Sequence, residues 1–412
     1  MDLLKLANIK ECPCGRTHHV DIKQIIIKRG ALERLPDIIK KHDTSLPVLI
    51  VCDDNTHVAA GKKVEMLLDQ HVVPFNTIKL SSKGNLVPDK KAVDSIENAL
   101  GKGAGLLLAV GSGTINDLTR FVAFKSHLPY ISIPTAPSVD GFASTISALT
   151  IEGRKKTFPA KPPDAIIADI EVLSESPHQM KAAGIGDLLG KSTARMDWHI
   201  GNILKGEYFC EKTANLVQHA KESCLDAMDI DDPYNDQVLQ HLMEGLVLSG
   251  LAISMVGNSR PASGSEHHVS HYLEMKALDG TVPPHLHGET VAFGTMLMTR
   301  LYLAVFQMDV AEIARLTGSN PQINGILLTA LQENWEEISR LTSRFIMDPL
   351  DLEECMKNSR IPNDPVELGY DLAFLEDLFS RAKEMRERYT LLSLLAEIGL
   401  LEHFNSKVLQ AF

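Results

Sequence analysis

The densest metal-binding chemistry in the chain lies in residues 258–289. It reads Asn258-Ser-Arg260-Pro-Ala-Ser-Gly264-Ser-Glu266-His267-His268-Val-Ser-His271 and then Pro284-His285-Leu-His287-Gly288-Glu289. Neutral imidazole is the commonest protein ligand for a divalent metal. A catalytic site needs about three protein donors and an open position, and carboxylate oxygen suits it as well as imidazole. On a helix, His267 and His271 are i,i+4 neighbours on one face, so one can hold a metal while the other faces a substrate. The plain alternative is a set of surface histidines that happen to cluster. Imidazoles alone lack an anionic partner, which Gly184-Ile-Gly186-Asp187-Leu-Leu-Gly-Lys191 can supply. Asp187 is expected to begin a helical run ending near Asp197-Trp198. By itself, an aspartate there would be a cap or a dipole partner.

The elements that must position these groups come in two textures. Strand-like and helix-like segments alternate from 21 to about 169: strands at 21–28, 47–52, 75–80, 105–110, 129–134 and 165–169, with helices between most of them. A hairpin spans 145–169, with a basic turn at Arg154-Lys155-Lys156. Short continuous apolar runs such as Pro47–Cys52 fit a parallel sheet covered on both faces, and the alternation calls for a doubly wound α/β domain. After Ser174-Glu-Ser-Pro177 the pattern is helical to the end. The expected division is an arm at 1–20, an α/β domain at 21–172 and an all-α domain at 173–412. Two polar loops end strands of the first part: Gly111-Ser112-Gly113-Thr114-Ile115 and Thr135-Ala136-Pro137-Ser138. A strand, a glycine turn and a helix N-terminus form an anion site, although the spacing matches neither the dinucleotide fingerprint nor the P-loop. An ordinary tight turn is the alternative.

Composition narrows the partners. The 412 residues exceed one ordinary core, with 44% hydrophobic and 23% charged residues, as in a globular protein of two domains. A net charge of −12 argues against nucleic acid. The apolar stretch Gly245–Gly257 reads as a thirteen-residue core helix, too short to cross a membrane. The scattered cysteines imply no disulfides and fit a cytoplasmic setting. Cys12-Pro-Cys14-Gly15, with His18 and His19 following, could hold a metal. The second half of a four-ligand site is not evident, and a reduced turn is the expectation. Leu391, Leu392, Leu394, Leu395, Ile398 and Leu401 fit either core or a dimer surface.

Together, Val110-Gly-Ser-Gly-Thr-Ile-Asn-Asp117, Pro134-Thr-Ala-Pro-Ser-Val-Asp-Gly-Phe-Ala-Ser144, Gly184-Ile-Gly-Asp-Leu-Leu, Asp197-Trp198, Ser259-Arg-Pro-Ala-Ser-Gly-Ser-Glu-His267 and His287-Gly-Glu resemble the metal-dependent polyol and alcohol dehydrogenases. That superfamily also contains glycerol dehydrogenase and dehydroquinate synthase. Within it the sequence most resembles the bacterial-type sn-glycerol-1-phosphate dehydrogenases, from about residue 22 onward. The resemblance implies a Rossmann-like domain followed by a helical domain, the dehydroquinate synthase-like fold. It implies one divalent metal, nickel or zinc, on Asp187, His267 and His287, with His271 and Asp140 (and Asp187) contacting substrate and His271 and Asp187 catalytic. NAD or NADP would occupy Gly111, Ser112, Gly113, Thr114, Ile115, Thr135, Ala136, Pro137, Ser138 and Ser144, with Asp53 at the adenosine ribose. A carboxylate there leans towards NAD. The implied reaction is reduction of dihydroxyacetone phosphate, feeding ether-type phospholipid synthesis, in a homodimer. Arg260 and Lys191 are the expected cations for the substrate phosphate. Glycerol dehydrogenase activity and a dehydroquinate synthase-type lyase are the alternatives.

Overall fold

In the computed structural model, which describes residues 2–410 apart from 44, 82–85, 102, 152–153, 230 and 319–324, and of 154–155 only the backbone, the apolar runs form the sheet. The strands β2 (Val48–Asp53), β4 (Leu106–Gly111), β5 (Tyr130–Pro134) and β8 (Ala165–Asp169) are buried along almost their whole length. Less buried β1 (Gln24–Lys28) and β3 (Phe75–Leu80) form the edges. The order is β1-β8-β5-β4-β2-β3, and every pairing is parallel. Side-chain alternation feeds two cores. Ile50, Leu106, Leu108, Ile131 and Ile133 meet Leu32, Leu35, Val64 and Leu68 on one face. Leu49, Val51, Leu107 and Ala109 meet Val93, Ile96, Leu118 and Val122 on the other. Two covered faces are what a doubly wound domain requires.

The order reverses between β2 and β4, because β3 lies outside β2 while β4 returns on its inner side. The pairing Val51↔Ala109 brings the end of β2 at Asp53 beside the turn after β4. Gly111↔Pro134 adds the loop after β5. Three carboxyl ends therefore meet at the switch point, where open α/β sheets bind ligands.

Among the described residues no strand follows Asp169, and helices joined by loops make up what comes after. The compact units are drawn differently from that change of texture. One comprises Met1–Gly184 with His219–Asn258, the other Ile185–Gln218 with Ser259–Phe412. The first takes back the Asp236–Val256 helix, whose Ser249 hydroxyl donates to Asp140 Oδ2 at 2.8 Å and whose Ser254 hydroxyl donates to Ala143 O at 3.0 Å. Small residues on that helix thus serve the 140–143 loop. At 21 residues it is longer than the thirteen expected and, among the described residues, long and apolar enough to span a membrane. Yet 83% of its most apolar window is buried inside the protein, as in a core helix.

One other expectation needs correction. Arg154 to Lys156 are not a turn but the start of β7 (Arg154–Pro159), paired antiparallel with β6 (Ile146–Ile151). The connecting residues 152–153 lie outside the described ones. The C-terminal leucines 391, 392, 394 and 395 and Ile398 are fully buried in the second unit. Of the two readings the sequence offered, core and dimer surface, burial bears out core.

Candidate active site

Asp187 does not open a helix. It lies near the end of the His178–Leu189 helix, and Gly190 separates it from the next one, Lys191–Lys205. Its role as a cap is thereby excluded, and its carboxylate is fully buried. His267 lies in the first turn of the Ser265–Leu278 helix and His287 at the start of the His287–Phe306 helix. Asp187, His267 and His287 each offer a donor atom within 4.8 Å of the others. His267 Nε2 is 3.7 Å from Asp187 Oδ1. Two donors bound to one ion at 2.0–2.2 Å with a tetrahedral angle sit about 3.4 Å apart, so the set fits a divalent metal.

Each imidazole is aimed by a carboxylate. His267 Nδ1 donates to Glu266 Oε1 at 2.7 Å, and His287 Nδ1 to Glu274 Oε1 at 2.8 Å. The other oxygen of Glu274 accepts from His271 Nδ1 at 3.0 Å. Proton-bearing Nδ1 atoms leave all three Nε2 atoms as the reactive ones, the usual way a carboxylate orients a metal-binding histidine. The sequence reading missed both glutamates. Their signal was there: Glu266 precedes His267, and Glu274 follows His271 by one turn on the same face. Glu266 is fully buried. Burial raises its pKa, while the Gly264 amide at 2.6 Å and the Thr193 hydroxyl at 2.7 Å pull the other way.

Asp197 works one step further back. Its carboxylate accepts from Ser265 N and Oγ, Tyr302 Oη and Leu391 N, all between 2.5 and 2.7 Å. Burial and the neighbouring Glu266 push its pKa up to about 6. It thereby pins the N-terminus of the helix carrying His267 and His271. His268, between them in sequence, is fully buried, and burial lowers its pKa well below the usual value. It is a neutral core residue.

The expected phosphate cations are already committed. Lys191 Nζ is fully buried and donates to Asp187 Oδ1 at 2.6 Å and Ala262 O at 3.0 Å. Arg260 donates to Glu207 Oε1 at 2.5 Å and Tyr389 O at 2.7 Å. A different cation, Arg386, stands at the solvent edge with Nη2 3.4 Å from His271 Nε2. Lys383, Arg386 and Arg388 line a common pocket.

In the first unit, Ser112 precedes the Gly113–Lys125 helix without capping it by its side chain. Its hydroxyl instead lies 2.5 Å from Ser138 Oγ and donates to Ala136 O at 3.4 Å. The serine that interrupts the glycine turn therefore ties the two loops together. Gly111 is needed because a Cβ there would come within 2.5 Å of the Ile115 side chain. Thr135 N donates to Gly111 O at 3.3 Å. Ser144 is buried, and its hydroxyl accepts from Ile146 N at 3.2 Å. Asp53 caps the helical turn after β2, accepting from Thr56 N at 2.7 Å. Arg120, unremarked in the sequence, is fully buried. It joins Tyr130, Asp117, Ile146 O and Gly141 O, anchoring the Asp140 loop.

Comparison with known proteins follows the same lines. A glycerol-1-phosphate dehydrogenase [NAD(P)+] of Bacillus licheniformis is 33% identical over 95% of this chain and 93% of its own length. One from Halalkalibacterium halodurans is 35% identical over 96% and 98%. The chain belongs to the glycerol-1-phosphate dehydrogenase family. Residues 26–177 also match the family model for iron-containing alcohol dehydrogenases. Among solved structures, glycerol dehydrogenase from Schizosaccharomyces pombe covers 95% of this chain and 92% of its own at a TM-score of 0.64 and 17% identity. Butanol dehydrogenase A from Thermotoga maritima covers 94% and 97% at 0.65 and 15%. Likeness at that identity is likeness of fold, and it establishes for this glycerol-1-phosphate dehydrogenase family member the α/β-plus-helical architecture.

The close packing behind the metal set gives a direct test. A Cβ on Gly186 would sit 2.2 Å from Gly288 O, next to His287. Gly186→Ala must push backbone against backbone, costing about 3 kcal/mol. The expected result is a lower thermal midpoint together with a lower metal content after dialysis. A variant with wild-type values of both would show that the two helices can separate without moving His287.

Proposed function

We propose that this chain reduces dihydroxyacetone phosphate to sn-glycerol 1-phosphate, reversibly, with NADH or NADPH. The observation that carries the reading is the convergence of Asp187, His267 and His287 within 4.8 Å in a member of this family. We assign residues 21–172 to dinucleotide binding and 173–412 to metal and substrate. Gly111 to Ile115, Thr135 to Ser138 and Ser144 are the proposed nucleotide contacts, with Asp53 at the ribose favouring NAD. Nickel or zinc is the proposed ion, as the family resemblance implies; two imidazoles and a carboxylate suit iron and cobalt as well, and ligand type does not choose among them. We further propose a cytoplasmic homodimer whose product enters ether-type phospholipid synthesis.

A divalent ion on this triad supplies Lewis acidity towards the C2 carbonyl, and the reduced nicotinamide supplies hydride. The side chains do the remainder. Glu266 and Glu274 hold the imidazoles so that no donor has to turn on substrate binding. With Nδ1 on Glu274, a protonated His271 carries its transferable proton at Nε2. It can deliver that proton to the C2 oxygen on reduction and recover it on oxidation. Asp140, held by Ser249, is the proposed partner of a substrate hydroxyl. Arg386, beside His271 Nε2, is the proposed partner of the substrate phosphate, in place of Arg260 and Lys191.

The experiment compares NADH oxidation with dihydroxyacetone phosphate and with dihydroxyacetone, before and after chelation, and then determines the product's configuration. The phosphorylated ketone is expected to be the better substrate, chelation to stop turnover, and the product to be the sn-1 isomer. A preference for dihydroxyacetone would make this a glycerol dehydrogenase, and an sn-3 product would overturn the stereochemical assignment.

A further inference from the structure

The N-terminal arm contains a second constellation of metal-ligand chemistry that the proposed reaction does not use. After the Leu3–Ala7 helix, Ile9 and His18 bridge in antiparallel fashion through both backbone bonds, at 2.9 and 2.8 Å. The loop they close is Cys12-Pro13-Cys14-Gly15-Arg16-Thr17. Gly15 has a left-handed φ of +81° and donates its amide to Cys12 O at 2.9 Å. This tight knuckle turns both thiols towards the His18 ring. The donor atoms of Cys12, Cys14 and His18 all lie within 4.8 Å of one another, with Cys14 Sγ 3.3 Å from His18 Nε2. Cys12 and His18 are buried.

The other nitrogen of the His18 ring is held as well. His18 Nδ1 lies 2.8 Å from Met255 O at the end of the Asp236–Val256 helix. A carbonyl can only accept, so Nδ1 carries the proton and the Nε2 lone pair faces the sulfurs. That tautomer is the one a metal needs, fixed in the way such histidines are fixed. Sulfur at 2.3 Å and nitrogen at 2.0–2.1 Å from a tetrahedral ion lie about 3.6 Å apart, close to the observed spacing.

We propose that Cys12, Cys14 and His18 are ligands of a second, structural metal ion of the zinc class, distinct from the one on Asp187, His267 and His287. Its thiolates select a softer ion than the imidazole–carboxylate set. Its work is to fasten the arm. Residues 1–20 are too few to hold themselves by apolar burial, and the ion links their loop through His18 to the helix that supports Asp140. Cys12 and Cys14 are free thiols, as expected of a reduced turn; the proposal adds an ion that they hold.

The test uses the full chain. Purified wild-type protein is expected to hold about two metal ions, and His267→Ala about one. After exchange into cobalt, the His267→Ala protein should show the near-ultraviolet charge-transfer absorption of thiolate–cobalt bonds. Cys12→Ser and Cys14→Ser, each combined with His267→Ala, should abolish it. Should those variants fold poorly, a thiol-specific mercurial added to zinc-loaded His267→Ala protein is expected to release about one zinc per chain. Structural zinc is closed by four donors. Loss of the absorption in a serine variant of Cys52, Cys210, Cys224 or Cys355 would name a fourth and support the site. A His267→Ala protein that takes up no zinc or cobalt would overturn the proposal, and so would uptake without thiolate absorption. Neither outcome bears on the dehydrogenase reading, which the activity of the wild-type enzyme tests.

Discussion

Alanine at His267 is expected to remove the catalytic ion and turnover together, with kcat/KM for dihydroxyacetone phosphate falling about a thousandfold or more. A Lewis acid at the carbonyl contributes several kcal/mol to the transition state, and nothing else in the set replaces its charge. His267 supplies Nε2 from a buried position already aimed by Glu266, so truncation leaves two donors, too few for a stable site. Reduced-nicotinamide binding, followed by fluorescence, should be unchanged, because the proposed nucleotide residues lie on the strand ends of the other unit. Asp187→Asn is the informative companion. It too should lose the ion, but it also leaves the Lys191 ammonium fully buried beside a neutral amide. Breaking a buried pair costs about 3–5 kcal/mol, so Asp187→Asn should be less stable than His267→Ala. Adding Lys191→Met should restore stability without restoring activity. Wild-type turnover by His267→Ala in metal-free buffer would end the assignment.

Much of this was legible in the sequence because it rests on local signals. Continuous β-branched runs marked the buried strands, and the i,i+4 spacing put His267 and His271 on one helical face. The small-residue loops at 111–113 and 135–138 followed strands whose register now brings them together. What was illegible depends on contacts between distant segments. Asp187 looked like a helix start because Gly184 and Gly186 resemble a break. In the fold, Gly186 is instead the flat surface that lets Gly288 approach. Arg260 was read as an available cation because sequence gives charge without partners, and its partner Glu207 is a tertiary neighbour; Lys191 pairs with Asp187 only four residues before it, a partner the i,i+4 spacing already offered. The C-terminal leucines had a periodicity that suits a core and an interface equally, and only burial separates the two. Cys12, Cys14 and His18 read as an incomplete four-ligand set, and what sequence could not show is that Met255 O, far along the chain, fixes the His18 ring.

Substitution of Arg386 should change which ketone the enzyme prefers. A guanidinium meeting a phosphate makes charge-assisted, forked hydrogen bonds, together about 3 kcal/mol, or about a hundredfold. Arg386→Ala is therefore expected to lower kcat/KM for dihydroxyacetone phosphate by about that factor, mostly through KM, and to leave dihydroxyacetone almost unaffected. Arg386→Lys keeps a point charge without the fork and should fall between. The wild type's advantage over Arg386→Ala should also shrink with added salt, since Arg386 is exposed and salt screens exposed charges. The ratio of the two substrates is the decisive quantity. Arg386 also touches His271 Nε2 at 3.4 Å, so a purely electrostatic influence on that imidazole would lower both substrates by the same factor and displace the pH profile. An unchanged ratio with a displaced profile would make Arg386 a positioning residue for His271 and move the search for the phosphate cation to Lys383 and Arg388, which line the same pocket. Of these two, Arg388 is bound to Ser259 and Ser263 at 2.6 and 2.9 Å, and burial lowers its pKa to about 10. Its truncation would loosen the 259–263 loop ahead of His267, a loss that both substrates would register alike. Arg386 is therefore the position at which the proposed phosphate recognition can be tested while the metal set stays intact.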